Sequence, residues 1–181
     1  MQPVLLVPGL HNSGPQHWQT LWHRDYPHWQ RVTGQRWERA ELDSWSERVA
    51  SWLRANTEPV HIVAHSFGTL ASIAAAARHP ERVASLFLVA PADPAHFAIA
   101  DRQLPLPPDV PGLVVASRND PWMSLERADY WRRQWRLPLF DAGDAGHLNA
   151  ESGHGAWPQG RALLAELWQQ SANWPAIQAS A

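Results

Sequence analysis

The chain contains no cysteine. That excludes disulfides, thiolate metal sites and a cysteine nucleophile. It has no strong charge of either sign: 15 basic residues stand against 17 acidic ones, a net charge of -2. Nothing in that balance points to nucleic acid or an anionic membrane as a partner. The apolar run in "MQPVLLVPGL" is too short to span a membrane and lacks the basic leader of a signal peptide, so a cytoplasmic location is expected. No H-E-x-x-H occurs, and "PGLHNSG" has neither the lysine nor the spacing of a phosphate-binding loop. His61 and His65 are four apart, but they straddle a strand pattern and not a helix. The expectation is no metal, no cofactor, no nucleic acid and no membrane, with a small-molecule substrate as the partner.

Of the 181 residues, 45% are hydrophobic and 18% charged, a balance that suits one globular domain. The expected domain covers residues 1–170, followed by a loose tail over 171–181. Short apolar runs bounded by turn residues read as buried strands: "VLLV" between Pro3 and Pro8, Val60–His65, Val83–Ala90, Gly112–Ser117 and Leu137–Phe140. Arg31–Trp37 is a weaker sixth candidate. Between them lie helical patterns. Pro15 opens one with Trp18, Leu21 and Trp22 on a face. "DSWSERVASWLRAN" carries Trp45, Val49, Trp52 and Leu53 at helical spacing, with Ser44 and Glu47 placed as a capping box. An alanine-rich helix ends near Arg78, Ser124–Trp135 forms another, and Gly160–Gln170 the last. Strands alternating with helices predict an α/β fold with a mainly parallel sheet of about six strands and no large cap domain. In such folds ligands sit beyond the carboxyl ends of the strands. The 12 tryptophans read mainly as packing residues.

The residues just after each apolar run therefore matter most. Ala64-His65-Ser66-Phe67-Gly68 is a variant of the nucleophile elbow, G-x-S-x-G. A serine on a sharp strand-to-helix turn needs small neighbours two residues away on either side, and Ala64 and Gly68 both qualify. Serine is also a favoured helix cap, so the pentapeptide alone leaves Ser66 open between nucleophile and cap. Its partners shift the balance. A serine nucleophile needs a base, and the base an orienting acid, in the chain order serine, acid, histidine. Asp120 follows the Gly112–Ser117 run in "SRNDP", and His147 follows the Leu137–Phe140 run in "DAGHLN". Asp93 is the alternative acid and His154 the alternative base. His65 is expected to point elsewhere on the turn. The oxyanion hole would use the N–H of Phe67 and that of Leu10 or His11. His11, Phe97 and Trp122, with Phe67 and His96 beside them, are candidate lining residues for a pocket whose rim is the proline-rich stretch Pro91–Pro111.

These segments resemble the small α/β-hydrolases similar to retinoblastoma-binding protein 9. The likeness is carried by "VLLVPGL" with "GPQHWQTLW", by "HIVAHSFGTLASI", by "GLVVASRNDPW" and by "GDAGHLNAESGHGAWPQG". It implies a compact serine hydrolase with Ser66 as nucleophile, Asp120 as acid and His147 as base. It does not imply the partner-binding role tied to a Leu-x-Cys-x-Glu segment, since cysteine is absent. The expected activity is hydrolysis of small acyl esters through an acyl-enzyme. An acyltransferase or lactonase with the same triad, or a non-catalytic interaction module that keeps the fold, are the alternatives.

Overall fold

The computed structural model describes residues 2–104 and 109–172. Residues 173–181 of the expected tail, and residues 105–108 of the proline-rich stretch, lie outside the described residues. Six strands form one parallel sheet: β1 (Val4–Val7), β2 (Gln30–Arg31), β3 (Val60–His65), β4 (Val83–Val89), β5 (Gly112–Ala116) and β6 (Leu139–Asp141). The spatial order is β2-β1-β3-β4-β5-β6. The switch in direction from β1 places the ends of β1 and β3 side by side, where such folds build their sites.

Side chains alternate across the sheet, as period-two geometry requires. Leu5, Val7, Ile62, Ala64, Leu86 and Leu88 pack on one face against α2 (Leu42–Ala55), α3 (Phe67–Arg78) and α4 (Leu125–Gln134). Leu6, Val63, Phe87 and Val89 pack on the other against α1 (Trp18–Asp25) and α5 (Pro158–Ala172). Near-continuous apolar strands follow directly, because both faces are covered. Among the described residues the tryptophans other than Trp122 behave as packing residues. Trp18, Trp22, Trp45 and Trp135 are among the largest fully buried side chains, and Trp131 is also buried, while Trp52 is only partly so. No helix among the described residues is long and apolar enough to cross a membrane.

Several expected boundaries move. The second strand is two residues long. Past Arg31 only Val32 N–H still bonds Leu6 O, and the chain then leaves the sheet so that Trp37 O accepts from His11 N–H at 2.9 Å. Leu137 belongs to the end of α4, where its N–H bonds Arg132 O; β6 starts at Leu139. The capping box at Ser44 and Glu47 does not form. Helix α2 starts earlier, with Glu41 at its N-cap and no side-chain cap, so Ser44 lies within its first turn. Helix α1 starts at Trp18, capped by His17, whose Nδ1 accepts from Gln19 N–H. Helix α5 runs past Gln170 to Ala172.

Candidate active site

From Val60 to Ala76 every residue is buried except Ser66. It sits between β3 and α3 at φ 54° and ψ -129°, a conformation costly for a residue with a side chain, by about 1–3 kcal/mol. The turn is possible because Gly68 has no Cβ. One placed there would lie 2.4 Å from Pro8 O and 2.5 Å from Val7 O. Gly9 serves the same purpose from the other side, since a Cβ there would come 2.7 Å from Ser66 Cβ. The Ser66 hydroxyl makes no capping bond to α3. The cap explanation for this serine therefore fails, and its hydroxyl borders a cavity of about 420 Å³.

Leu10, His11, Ser66, Phe97, Trp122 and His147 all line that cavity. Five loops separated in sequence thus converge at the carboxyl ends of β1, β3, β4, β5 and β6. Asp120 lies just behind His147 with its side chain only 2% exposed. His147 Nδ1 is 2.9 Å from both Asp120 oxygens. A carboxylate only accepts, so Nδ1 carries a proton, and in the neutral ring the lone pair lies on Nε2. Trp122 N–H also donates to Asp120 Oδ1 at 2.9 Å. Ser66 Oγ and His147 share the cavity wall with no hydrogen bond between them. Contacts of this kind are often loose until a substrate is held.

The acid and base loops are tied together by residues that sequence reading passed over. Ser117 Oγ donates to Asn119 Oδ1 and accepts from Ala145 N–H, and Asn119 Oδ1 also accepts from Gly146 N–H at 2.7 Å. Their signal was present in the "SRND" that precedes Asp120, as short polar residues able to bond nearby backbone. The loop after β1 is fixed in a comparable way. Gln19, fully buried, bonds Val7 O, Val63 O and the Ser13 hydroxyl, while Arg31 bonds Asn12 Oδ1 and Ser13 O. The N–H of His11 is taken by Trp37 O. No described residue accepts the N–H of Leu10 or of Phe67.

The alternative residues are engaged elsewhere. Asp93 accepts a two-pronged pair of bonds from Arg127, at 2.8 and 2.9 Å. Burial alone would raise its carboxyl, but the bonds from Arg127 and from Ala95 N–H hold it below the ordinary range. Arg127 also reaches Asp101, so the pair fastens the segment carrying Phe97 to α4. His154 bonds Ser152 and packs on Trp157, outside the cavity lining. Of the other expected lining residues, Phe67 lies buried beneath Phe97, and exposed His96 packs against the Trp122 ring.

Two further histidines line the cavity. His17 is buried, and its pKa is lowered to about 3 by that burial and then by the charges of Arg31 and His147. His65 does not turn away from the site. Its Nε2–H donates to His147 O at 2.9 Å, and burial holds its pKa well below the usual imidazole value.

A family model described as serine hydrolase matches residues 4–166. No curated protein matches the chain. Among solved structures, a YdeN-like hydrolase from Pectobacterium atrosepticum SCRI1043 is 43% identical, with a TM-score of 0.89 over 94% of this chain and 92% of that one. The ydeN gene product of B. subtilis is 17% identical, with a TM-score of 0.73 over 93% and 100% of the two chains. Est1E from Butyrivibrio proteoclasticus, solved with ferulic acid, is 12% identical, with a TM-score of 0.67 over 97% and 90%. The last two likenesses concern the fold alone. With its single parallel sheet, its serine at a strained strand-to-helix turn and this family match over most of its length, the chain belongs to the serine hydrolase family.

Proposed function

We propose that the protein is a carboxylesterase-type hydrolase of small acyl esters, with Ser66 as nucleophile, His147 as general base and Asp120 as the orienting acid. The observation that carries this reading is the bond from His147 Nδ1–H to both Asp120 oxygens, which puts the lone pair of the neutral ring on Nε2, beside the cavity that Ser66 and His147 both line. As Ser66 Oγ attacks the ester carbon, its proton passes to His147 Nε2. The developing oxyanion is met by the N–H groups of Leu10 and Phe67, neither of which has an acceptor among the described residues. His147 then gives the proton to the departing alkoxide as the carbon–oxygen bond breaks, leaving acyl-Ser66. Water repeats the sequence: Nε2 takes one proton, hydroxide adds to the acyl carbon, and Ser66 Oγ leaves with the proton as the acid is released.

The cavity supports small substrates of mixed character. One flank is aromatic, with Trp122 46% exposed and lying nearly parallel to Phe97. The other flank is polar, with Asn12, Gln16 and Asn149. Short or medium apolar acyl groups fit the first and the ester's polar end the second. The segmental likeness to the retinoblastoma-binding protein 9 hydrolases supports the same assignment of Ser66, Asp120 and His147. Turnover of p-nitrophenyl acetate by Ser66→Ala tests it. The expected loss is on the order of 10⁶-fold; retention of most activity would refute the role of Ser66.

A further inference from the structure

We infer that His65 is a positioning residue that fixes the general base relative to the nucleophile, by holding the His147 backbone from the position next to Ser66. This rests on the reading of Ser66 and His147 given above. The contact is specific. His65 ends β3, is 5% exposed, and places Nε2 2.9 Å from the carbonyl oxygen of His147, 82 residues away in sequence. A carbonyl only accepts, so Nε2 carries the proton and donates it. The next carbonyl of the same loop, Leu148 O, is held in parallel by Trp18 Nε1–H at 2.9 Å. Leu148 has φ 47°, so this loop is bent where the two ring donors grip it.

The choice of residue also has a chemical reason. The His65 ring lies 4.8 Å from that of His147 and 4.7 Å from that of His17. During acyl transfer His147 becomes cationic, and a second cation at that distance would oppose it. His65 must therefore donate while neutral, and burial next to two other imidazoles favours that form. Because His65 and Ser66 share a peptide unit, any movement of the nucleophile's turn carries the grip on the base with it. A misplacement of about 1 Å in such a pair can cost about 100-fold in rate.

A role in packing alone makes a different prediction from a role as donor. His65→Phe keeps the ring and loses the donor; His65→Gln loses the ring and keeps an N–H near the Nε2 position. Wild type, His65→Phe and His65→Gln would be compared for fluorophosphonate labelling of Ser66 and for kcat and KM on p-nitrophenyl acetate, with circular dichroism to confirm folding. The donor role predicts kcat lowered about 10–100-fold in the phenylalanine variant with KM nearly unchanged, and largely restored in the glutamine variant. Equal kcat in wild type and His65→Phe, or an equal fall in both variants, would overturn it. Should His65→Phe fail to fold, imidazole ¹⁵N spectra of the wild type decide: a protonated, exchange-protected His65 Nε2 supports the bond, and protonation at Nδ1 instead refutes it. Wild type that fluorophosphonate does not label refutes the esterase reading itself, and this inference with it; labelled wild type with an unaffected phenylalanine variant refutes only the role of His65.

Discussion

His147 Nδ1 stands 2.9 Å from each carboxylate oxygen of Asp120, and the Asp120 side chain is almost wholly enclosed. That bond selects the tautomer with its lone pair on Nε2. Asp120→Asn would offer an amide N–H in its place and favour the opposite tautomer. We expect kcat to fall by about 10³–10⁴-fold with the fold retained. Asp93→Asn, by contrast, would loosen the bond to Arg127 and lower stability while leaving kcat within about tenfold of wild type. Steady-state kinetics of the two variants side by side checks this; a larger loss at Asp93 would transfer the acid's role to it.

Gly68 holds the turn on which Ser66 is mounted. A methyl group there meets two backbone carbonyls, and backbone cannot yield as a flexible side chain can. Gly68→Ala is expected to cost about 3 kcal/mol, seen as a lower urea midpoint, and to reduce activity together with stability. A variant of unchanged midpoint would mean that α3 can shift away from β1 without penalty.

How much of this was legible in the sequence follows from where each signal is local. The buried strands were readable because two covered faces demand unbroken apolar runs, as in "VLLV" and "VHIVAH". Ser66, Asp120 and His147 stood out as candidates because each follows such a run in a set order. The second strand was readable only as a weak candidate from Arg31 that ran on to Trp37, since an edge strand two residues long leaves almost no pattern. The choice between Leu10 and His11 was also closed to sequence, because the partner that takes His11 N–H is the carbonyl of Trp37, 26 residues on. The same holds for His65. Its neighbour Ser66 is visible in the motif, but its partner, the backbone of His147, exists only once the sheet has formed.

Trp122 gives the cavity its exposed aromatic flank, while its backbone N–H, which bonds Asp120, is independent of the ring. Trp122→Ala should therefore raise KM for p-nitrophenyl hexanoate by about tenfold and affect p-nitrophenyl acetate much less, with kcat little changed for either. Equal effects on both esters would place the acyl chain elsewhere.

Stability should fall in acid. The His17 pKa is lowered from 6.5 to about 3, mainly by burial. The unfolded chain takes up a proton near pH 6.5 that the folded chain refuses until about pH 3. This contribution is thus complete above 6.5 and is lost as pH falls across that interval, at about 1.4 kcal/mol per pH unit for the one group. His61, lowered to about 4 by burial, and His65 act in the same direction. Urea midpoints measured from pH 7 to 5 should drop steadily. His17→Asn, which keeps an acceptor at the N-cap of α1, should reduce the slope by one proton. A flat profile would contradict the neutral, buried state of these rings.

The most direct measurement is mass mapping of the protein after reaction with a fluorophosphonate. The expected result is a single adduct on Ser66, absent from Ser66→Ala and formed far more slowly in Asp120→Asn. An unmodified Ser66, or an adduct on another residue that forms equally well in both variants, would contradict the assignment of Ser66, His147 and Asp120.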